Sequence, residues 1–397
     1  MMTAIVFIVT LGILIFVHEL GHFVVARRNG IAADEFGFGF PPRIFGIQRR
    51  SDGTWRWVWG GKNPAPSAQE NQPEPTIYSL NWIPLGGFVR IKGEEGGHAN
   101  DVDSFAAKPA WTRIKVLGAG VTMNFILAWA VISLAFWVGA PQEVEQARVG
   151  GDVVNRKIQI STVVVGSPAE IMGLKIGDTV IRCIEDADPA CAKPFVTVAA
   201  LQQFIQSRKG TPIHLEIQRG AGQLEVTGTP RVTFPSTEGS LGVGLVETAI
   251  IRYPWYQAIV EGLLSMLNLT GMILVSFGEM LKHLIFGEKL GVEVTGPVGI
   301  VFFTKQVTEL GFVYILQFIA LLSINLGIVN ALPIPALDGG RILFILIEKF
   351  RGKPISHKVE HAIHTVGFMA LISLMIFITA RDFMRFDIVE KLRALFS

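Results

Sequence analysis

His18-Glu19-Leu20-Gly21-His22 lies inside an apolar run that extends from Ala4 to Ala26 and ends at Arg27-Arg28. Between Ala4 and Val17 only Thr10 and Gly12 interrupt the apolar residues. On a helix, His18 and His22 stand on one face, one turn from each other. That spacing lets two imidazoles hold one zinc ion, with Glu19 as general base for a water. Two histidines and a carboxylate are costly to bury in hydrocarbon, so inside a segment long enough to cross it they read as functional. A pair of packing histidines would leave Glu19 between them unexplained.

Composition agrees with a membrane protein. Half of the 397 residues are hydrophobic and 17% are charged, with a mean hydropathy of +0.44. Soluble chains carry about 25% charge. The net charge of +2 says little about partners, and no basic patch with interleaved aromatics suggests nucleic acid. The first segment is expected to stay in the protein rather than leave as a signal peptide. Its apolar core is too long, a small-residue cleavage site is missing, and cleavage would remove the motif.

Four segments read as spans: Ala4 to Ala26, Ile114 to Val138, Phe312 to Leu332 and His364 to Ala380. The stretch Ala258 to Phe286 is apolar but carries Glu261, Asn268, Glu279, Lys282 and His283; it is expected to form amphipathic or re-entrant helices at the membrane surface. The connection from Arg27 to Lys115 and the one holding Arg341, Lys349, Arg351, Lys353 and Lys358 are rich in basic residues. The positive-inside rule puts both in the cytoplasm and residues 139–311 outside. The basic tail opposes this placement, but it is terminal and the two connecting loops agree.

A zinc site needs a third protein ligand. Asp338 is the candidate, in Asn330-Ala331-Leu332-Pro333-Ile334-Pro335-Ala336-Leu337-Asp338-Gly339-Gly340, where the two prolines open the helix at the end of a span. Irregular backbone at membrane depth belongs where protein or a wet cavity surrounds it. His18 and His22 reach Asp338 at one depth only if residues 258–286 do not cross the bilayer.

Together HELGH, Glu35 to Phe40 as EFGFGF, Ile83 to Val89 as IPLGGFV, and NALPIPALDGG resemble the site-2 protease family of intramembrane zinc metalloproteases, most closely its bacterial regulator-of-sigma-E protease branch. The resemblance covers nearly the whole chain. It implies a Zn2+ ion held by His18, His22 and Asp338, with Glu19 activating water and Asn330 binding substrate or stabilising the oxyanion. It implies a protease in the bacterial cytoplasmic membrane that cuts single-span membrane proteins, either anti-sigma factor regulators or signal-peptide remnants. A different class of reading is a catalytically silent membrane scaffold; the intact set His18, Glu19, His22 and Asp338 weighs against it.

The alternating aromatics of residues 35–40 and of Trp55-Arg56-Trp57-Val58-Trp59 are strand signatures, with Asp52-Gly53 as a hairpin turn and a third strand around Ser79 to Lys92. These strands are expected to form a sheet dipping into the membrane. The resemblance suggests that it clamps an unwound substrate as an added strand, with Pro84, Leu85, Gly86, Gly87 and Phe88 in contact and Asn124 of the second span nearby; the alternative is a small cytoplasmic sheet without a substrate role. Gly60 to Thr76 reads as a flexible excursion.

Residues 155–247 resemble one permuted PDZ domain of bacterial proteases, from Val163-Val164-Val165-Gly166-Ser167-Pro168-Ala169-Glu170, Gly173-Leu174 and Gly177-Asp178. Leu241, Gly242, Val243 and Gly244 would bind a peptide or protein ligand; a size filter is the other reading. Cys183 and Cys191 fall in this outer region, and a disulfide and two free thiols both remain open. The other histidines, His357, His361 and His364 among them, read as surface or interfacial.

The expected architecture is therefore a polytopic α-helical membrane protein with four transmembrane helices, a membrane-associated β-sheet and one extracytoplasmic PDZ-like α+β domain. Its parts are a first half of the protease core at 1–140 with a sheet at 35–92, the PDZ-like domain at 155–247, surface helices at 254–290, a second half of the core at 312–383, and a tail at 384–397.

Overall fold

The computed structural model describes residues 2–50, 53–61, 75–94, 98, 100–144, 151–164, 166–184, 191, 193–220, 222–235, 238–287, 296–353 and 355–385. Asp52 of the expected turn, most of the 60–76 excursion and residues 386–397 of the tail lie outside these. In chain order the elements begin with α1 (Met2–Arg28), β1 (Ala33–Arg49), β2 (Trp55–Trp59), β3 (Ile77–Ile91) and α2 (Ala110–Val138). They continue with β4 (Ala140–Glu143), β5 (Asp152–Val163), α3 (Pro168–Ile171), β6 (Thr179–Cys183), α4 (Val198–Ser207), β7 (Ile213–Arg219), β8 (Gly222–Gly228) and β9 (Val243–Arg252). The last are α5 (Trp255–Phe286), α6 (Pro297–Leu310), α7 (Phe312–Ala331), α8 (Asp338–Arg351) and α9 (His357–Arg385). The chain divides into two compact units: residues 1–132 with 261–397, and residues 133–260.

Among the described residues, five helices are long and apolar enough to cross a membrane: α1, α2, residues 255–283 of α5, α7, and residues 358–384 of α9. The chain is a polytopic helical membrane protein that also carries sheets. The count exceeds the expected four because α5 qualifies. The expected set of helices over 258–286 is one continuous helix. None of its interrupting polar residues is a helix breaker, and Glu261, Asn268, Glu279 and His283 recur at spacings that keep them on one face.

In the first unit, α1 is closed by Gly30, whose left-handed φ of +65° lets the Ile31 N–H reach back to the Ala26 carbonyl. The chain then enters a three-stranded sheet of order β2-β1-β3. Both long strands bend: Phe36 lies opposite Val89 on one side and Tyr78 on the other. Arg43 grips Glu35 across the bend through two hydrogen bonds, Nε to Oε1 at 2.8 Å and Nη2 to Oε2 at 2.6 Å, with both side chains buried. Trp55, Trp57 and Trp59 stand exposed while Val58 between them is buried, the alternation expected of a one-sided strand.

The sheet lies along α1. Gly12 leaves room for the Phe38 ring at 3.4 Å, and a side chain on Gly86 would collide with Ile15 at 2.7 Å. Phe16 packs between Phe36 and Phe38, and Phe23 stacks on Phe36 with ring centroids 4.8 Å apart. Further along α1, Ala26, Ile31, Ile91, Phe105, Val116, Leu117 and Ile345 form a core that joins α1, the sheet, α2 and α8. Arg113 pairs with Glu348 at 2.9 Å beside it.

The second unit is a six-stranded sheet of order β4-β9-β5-β6-β7-β8, covered by α3 and α4. It reaches beyond the expected 155–247 bounds, because β4 pairs with Thr248–Ile251 of β9. Ile158, Ile160, Leu201, Phe204, Ile213, Leu215 and Ile217 fill its core. Cys183 and Cys191 are joined as a disulfide with Cα atoms 4.8 Å apart, which closes the question left open by their spacing.

Candidate metal centre

Two chain segments far apart in sequence bring the candidate ligands together. His18 and His22 project from one face of α1. Asp338 is the first residue of α8, after the loop in which Pro333 and Pro335 stop α7. His18 Nε2 lies 3.1 Å and His22 Nε2 3.4 Å from Asp338 Oδ2, and the two Nε2 atoms are 3.1 Å apart. A tetrahedral zinc with bonds of about 2.0–2.1 Å has ligand atoms about 3.3 Å from one another. The triangle therefore has the size of a zinc site, and its two imidazoles and one carboxylate are zinc-type donors.

The surroundings set the tautomers. His22 Nδ1 donates to the Val116 carbonyl at 2.9 Å, which leaves its Nε2 lone pair facing the site. His18 Nδ1 lies 3.1 Å from the side-chain amide of Asn124. With its amide oxygen turned toward His18, Asn124 accepts the Nδ1 proton and frees Nε2 for metal; turned the other way, that buried oxygen has no partner among the described residues. Asn124, expected near the substrate, is fully buried and contacts the candidate ligand His18. Ser323 of α7 donates to the Asn124 carbonyl at 2.8 Å, so α7 helps fix this support.

Glycines give the imidazoles their space. A side chain on Gly120 would begin 2.3 Å from His22 Nε2 and 2.7 Å from His18 Cε1. One on Gly21 would begin 2.5 Å from the Ala119 carbonyl oxygen. At the other ligand, a side chain on Gly339 would meet the Ala331 and Leu332 carbonyls at 2.3 Å, and one on Gly340 the Ile334 carbonyl at 2.2 Å. The Asp-Gly-Gly sequence thus lets the preceding loop fold back over the start of α8.

Glu19 accepts a hydrogen bond from the Val89 N–H at 3.2 Å. This ties the expected base to β3, the outer strand of the sheet. A cavity of about 660 Å³ runs along the end of that strand, lined by Phe88, Val89, Arg90, Glu94 and Arg341 among others. Of the expected substrate contacts, Phe88 lines this cavity, Pro84 is exposed, and Gly86 and Gly87 are buried against α1 and β1. The Leu85 side chain lies outside the described atoms. Asn330 is half-buried in the last turn of α7, eight residues before Asp338.

In the second unit, Leu241 is buried in the core and Gly242 has a left-handed φ of +77° against Ser167. Val243 begins β9. A cavity of about 160 Å³ lies between this segment and Gln202, Ile205 and Gln206 of α4.

Sequence reasoning missed Gly120, the Val116 carbonyl and His364. Gly120 is a small residue in a span, a usual sign of close helix approach. A backbone carbonyl leaves no mark in the residue pattern. His364, expected at an interface, is half-buried and hydrogen-bonded to the Ala336 N–H at 2.8 Å.

The sequence signature of peptidase family M50 matches residues 6–58 and 65–374. A Clostridium perfringens chain named as a candidate zinc metalloprotease is 33% identical over 370 residues, covering 93% of this chain and 95% of its own. The regulator of sigma-W protease RasP of Bacillus subtilis is 29% identical over 444 residues, covering 96% and 98%. The zinc metalloprotease RasP of Geobacillus kaustophilus is 28% identical, covering 96% and 97%. With two histidines and an aspartate at zinc spacing and a glutamate between the histidines, this chain belongs to peptidase family M50, the site-2 proteases, and is a membrane zinc metalloprotease.

Proposed function

We propose that this protease cuts the transmembrane segments of single-span proteins of the bacterial cytoplasmic membrane, at a site near the cytoplasmic face. The observation that carries the reading is the ligand triangle, set between helices apolar enough to span and beside the outer strand of a sheet that packs along α1. Zinc, when bound, polarises a carbonyl and acidifies a water. Glu19 takes a proton from the water and returns it to the leaving amine. Asn330 offers an amide donor to the developing oxyanion. A substrate helix has its carbonyls engaged, so it unwinds and pairs with β3 as an added strand.

Four crossings fit best. Asp382, near the end of α9, accepts from the N–H groups of Gly296 and Gly299 at 3.0 Å each, so α6 begins where α9 ends. The one-sided polar stripe of α5 suits a helix lying at the surface.

Residues 155–247, within the six-stranded sheet and its two helices, act as an extracytoplasmic PDZ-like domain. Support comes from the groove between the start of β9 and α4; among the described residues β9 pairs with β4 only from Thr248 onward. The name of the Bacillus relative favours regulators of sigma factors among the candidate substrates. The test is co-expression of single-span candidates with wild type and Glu19→Gln. Cleavage by wild type alone is expected; equal cleavage by Glu19→Gln would remove the proposed mechanism.

A further inference from the structure

We infer that His364 of α9 is a positioning residue that holds the Asp338 loop in the shape needed for metal binding. The inference rests on Asp338 being a ligand.

The loop between α7 and α8 is locked to the start of α8, because Gly339 and Gly340 receive the carbonyls of Ala331, Leu332 and Ile334 where side chains would otherwise stand. The orientation of Asp338 therefore follows the loop. The loop contains one residue in an unfavourable conformation. Ala336, two positions before the ligand, has a φ of +80°, a left-handed state unfavourable for a non-glycine residue.

Two residues of α9 oppose the relaxation of this strain. His364 Nδ1 accepts the Ala336 N–H at 2.8 Å. Gly367, on the same face of α9, lies so close that a side chain would begin 2.5 Å from Pro335 Cβ and 2.8 Å from its carbonyl oxygen. The helix thus supplies an acceptor for one residue and a flat seat for the preceding one. Without the acceptor, a half-buried N–H loses its partner and Ala336 is free to return to negative φ, turning Asp338 away from His18 and His22. Accepting at Nδ1 makes the ring neutral with its proton on Nε2, and that Nε2 is buried with no partner among the described residues. The ring is held as an acceptor for the loop and, among the described residues, for nothing else.

The geometry dictates the test. An Asn side chain places its oxygen where Nδ1 stands, whereas the Gln oxygen falls one bond further out. Zinc affinity of the purified full-length protein is measured by chelator competition, with the visible spectrum of the cobalt-loaded form as a second readout. His364→Gln is expected to bind zinc about 10–100-fold more weakly and to alter the cobalt spectrum, a range typical of lost support behind a ligand. His364→Asn is expected to recover most of that loss. Adding Ala336→Gly to His364→Gln is also expected to recover affinity, because glycine accepts a left-handed φ without strain. Wild-type affinity in His364→Gln, or an equal loss in His364→Asn without recovery by Ala336→Gly, overturns the proposal. Asp338→Ala is the control. Loss of zinc there with full retention in His364→Gln overturns the anchor alone, while retention in Asp338→Ala overturns the ligand assignment and the anchor with it.

Discussion

The Glu19 carboxylate is held by the Val89 N–H, one strand residue from Phe88 in the same cavity wall. The base is thus fixed to the strand proposed to receive substrate. Replacing it with Gln keeps the shape and an acceptor for Val89 but removes the proton acceptor. Glu19→Gln is expected to retain zinc and lose about 10²–10⁴-fold in kcat. Metal analysis alongside a cleavage assay checks this; a large loss of zinc would assign Glu19 a structural role.

Asn124 supports His18 as the Val116 carbonyl supports His22. Asn124→Ala is expected to weaken zinc binding about 10–100-fold, with KM for substrate little changed. Chelator competition and steady-state kinetics separate this outcome from the substrate contact expected from sequence, which would raise KM and leave the metal in place.

Gly120→Ala adds one methyl group where His22 Nε2 lies 2.3 Å away. The helices cannot absorb that contact without moving an imidazole, and overpacking costs about 1–3 kcal/mol. The variant is expected to insert in the membrane but to lose zinc and activity. Gly118, where a side chain meets open space, is the matched control, and Gly118→Ala is expected to be near neutral.

In the second unit, buried Asp178 accepts two hydrogen bonds from Arg219, at 2.7 and 2.6 Å, and one from the Lys175 N–H at 2.8 Å. Burial pushes its carboxyl up, and the Arg219 guanidinium with the Lys175 N–H outweighs it, holding the carboxyl below its ordinary value. A carboxyl with a lowered folded value stabilises above its unfolded value of about 3.9, and the contribution disappears as pH falls through the lower folded value. Asp178→Asn is expected to weaken this unit by about 1.5–3 kcal/mol at pH 7, with the difference from wild type shrinking below about pH 4. Hydrogen exchange of β6 and β7 at both pH values measures it.

What the sequence made legible follows from where each signal lives. His18, Glu19 and His22 were readable because a helix converts a four-residue spacing into adjacency. Asp338 was readable because the prolines before it break a helix at membrane depth. The strands around Phe36 and Trp57 showed through alternation. The bends that place Phe36 between Val89 and Tyr78 did not, since pairing partners leave no local pattern. The length of α5 was misjudged for a related reason. Polar residues on one face of a helix look like interruptions when read along the line, and only rotation about the axis shows them as a stripe. The links from Asn124 to His18 and from His364 to Ala336 join residues 106 and 28 positions apart. No single chain without relatives could have paired them.

The packing of the sheet on α1 has a consequence for where cleavage falls. Gly12, Ile15, Phe16 and Glu19 contact Phe38, Gly86 and Val89 along the same helix that carries His18 and His22. The strand and the metal ligands therefore share one ruler. A substrate added to that strand would meet the zinc at a bond fixed by counting, with each residue of slippage worth about 3.3 Å. Such an enzyme measures position first and side-chain identity second. Inserting one residue into a substrate segment on the side where it enters should shift the cut by one bond.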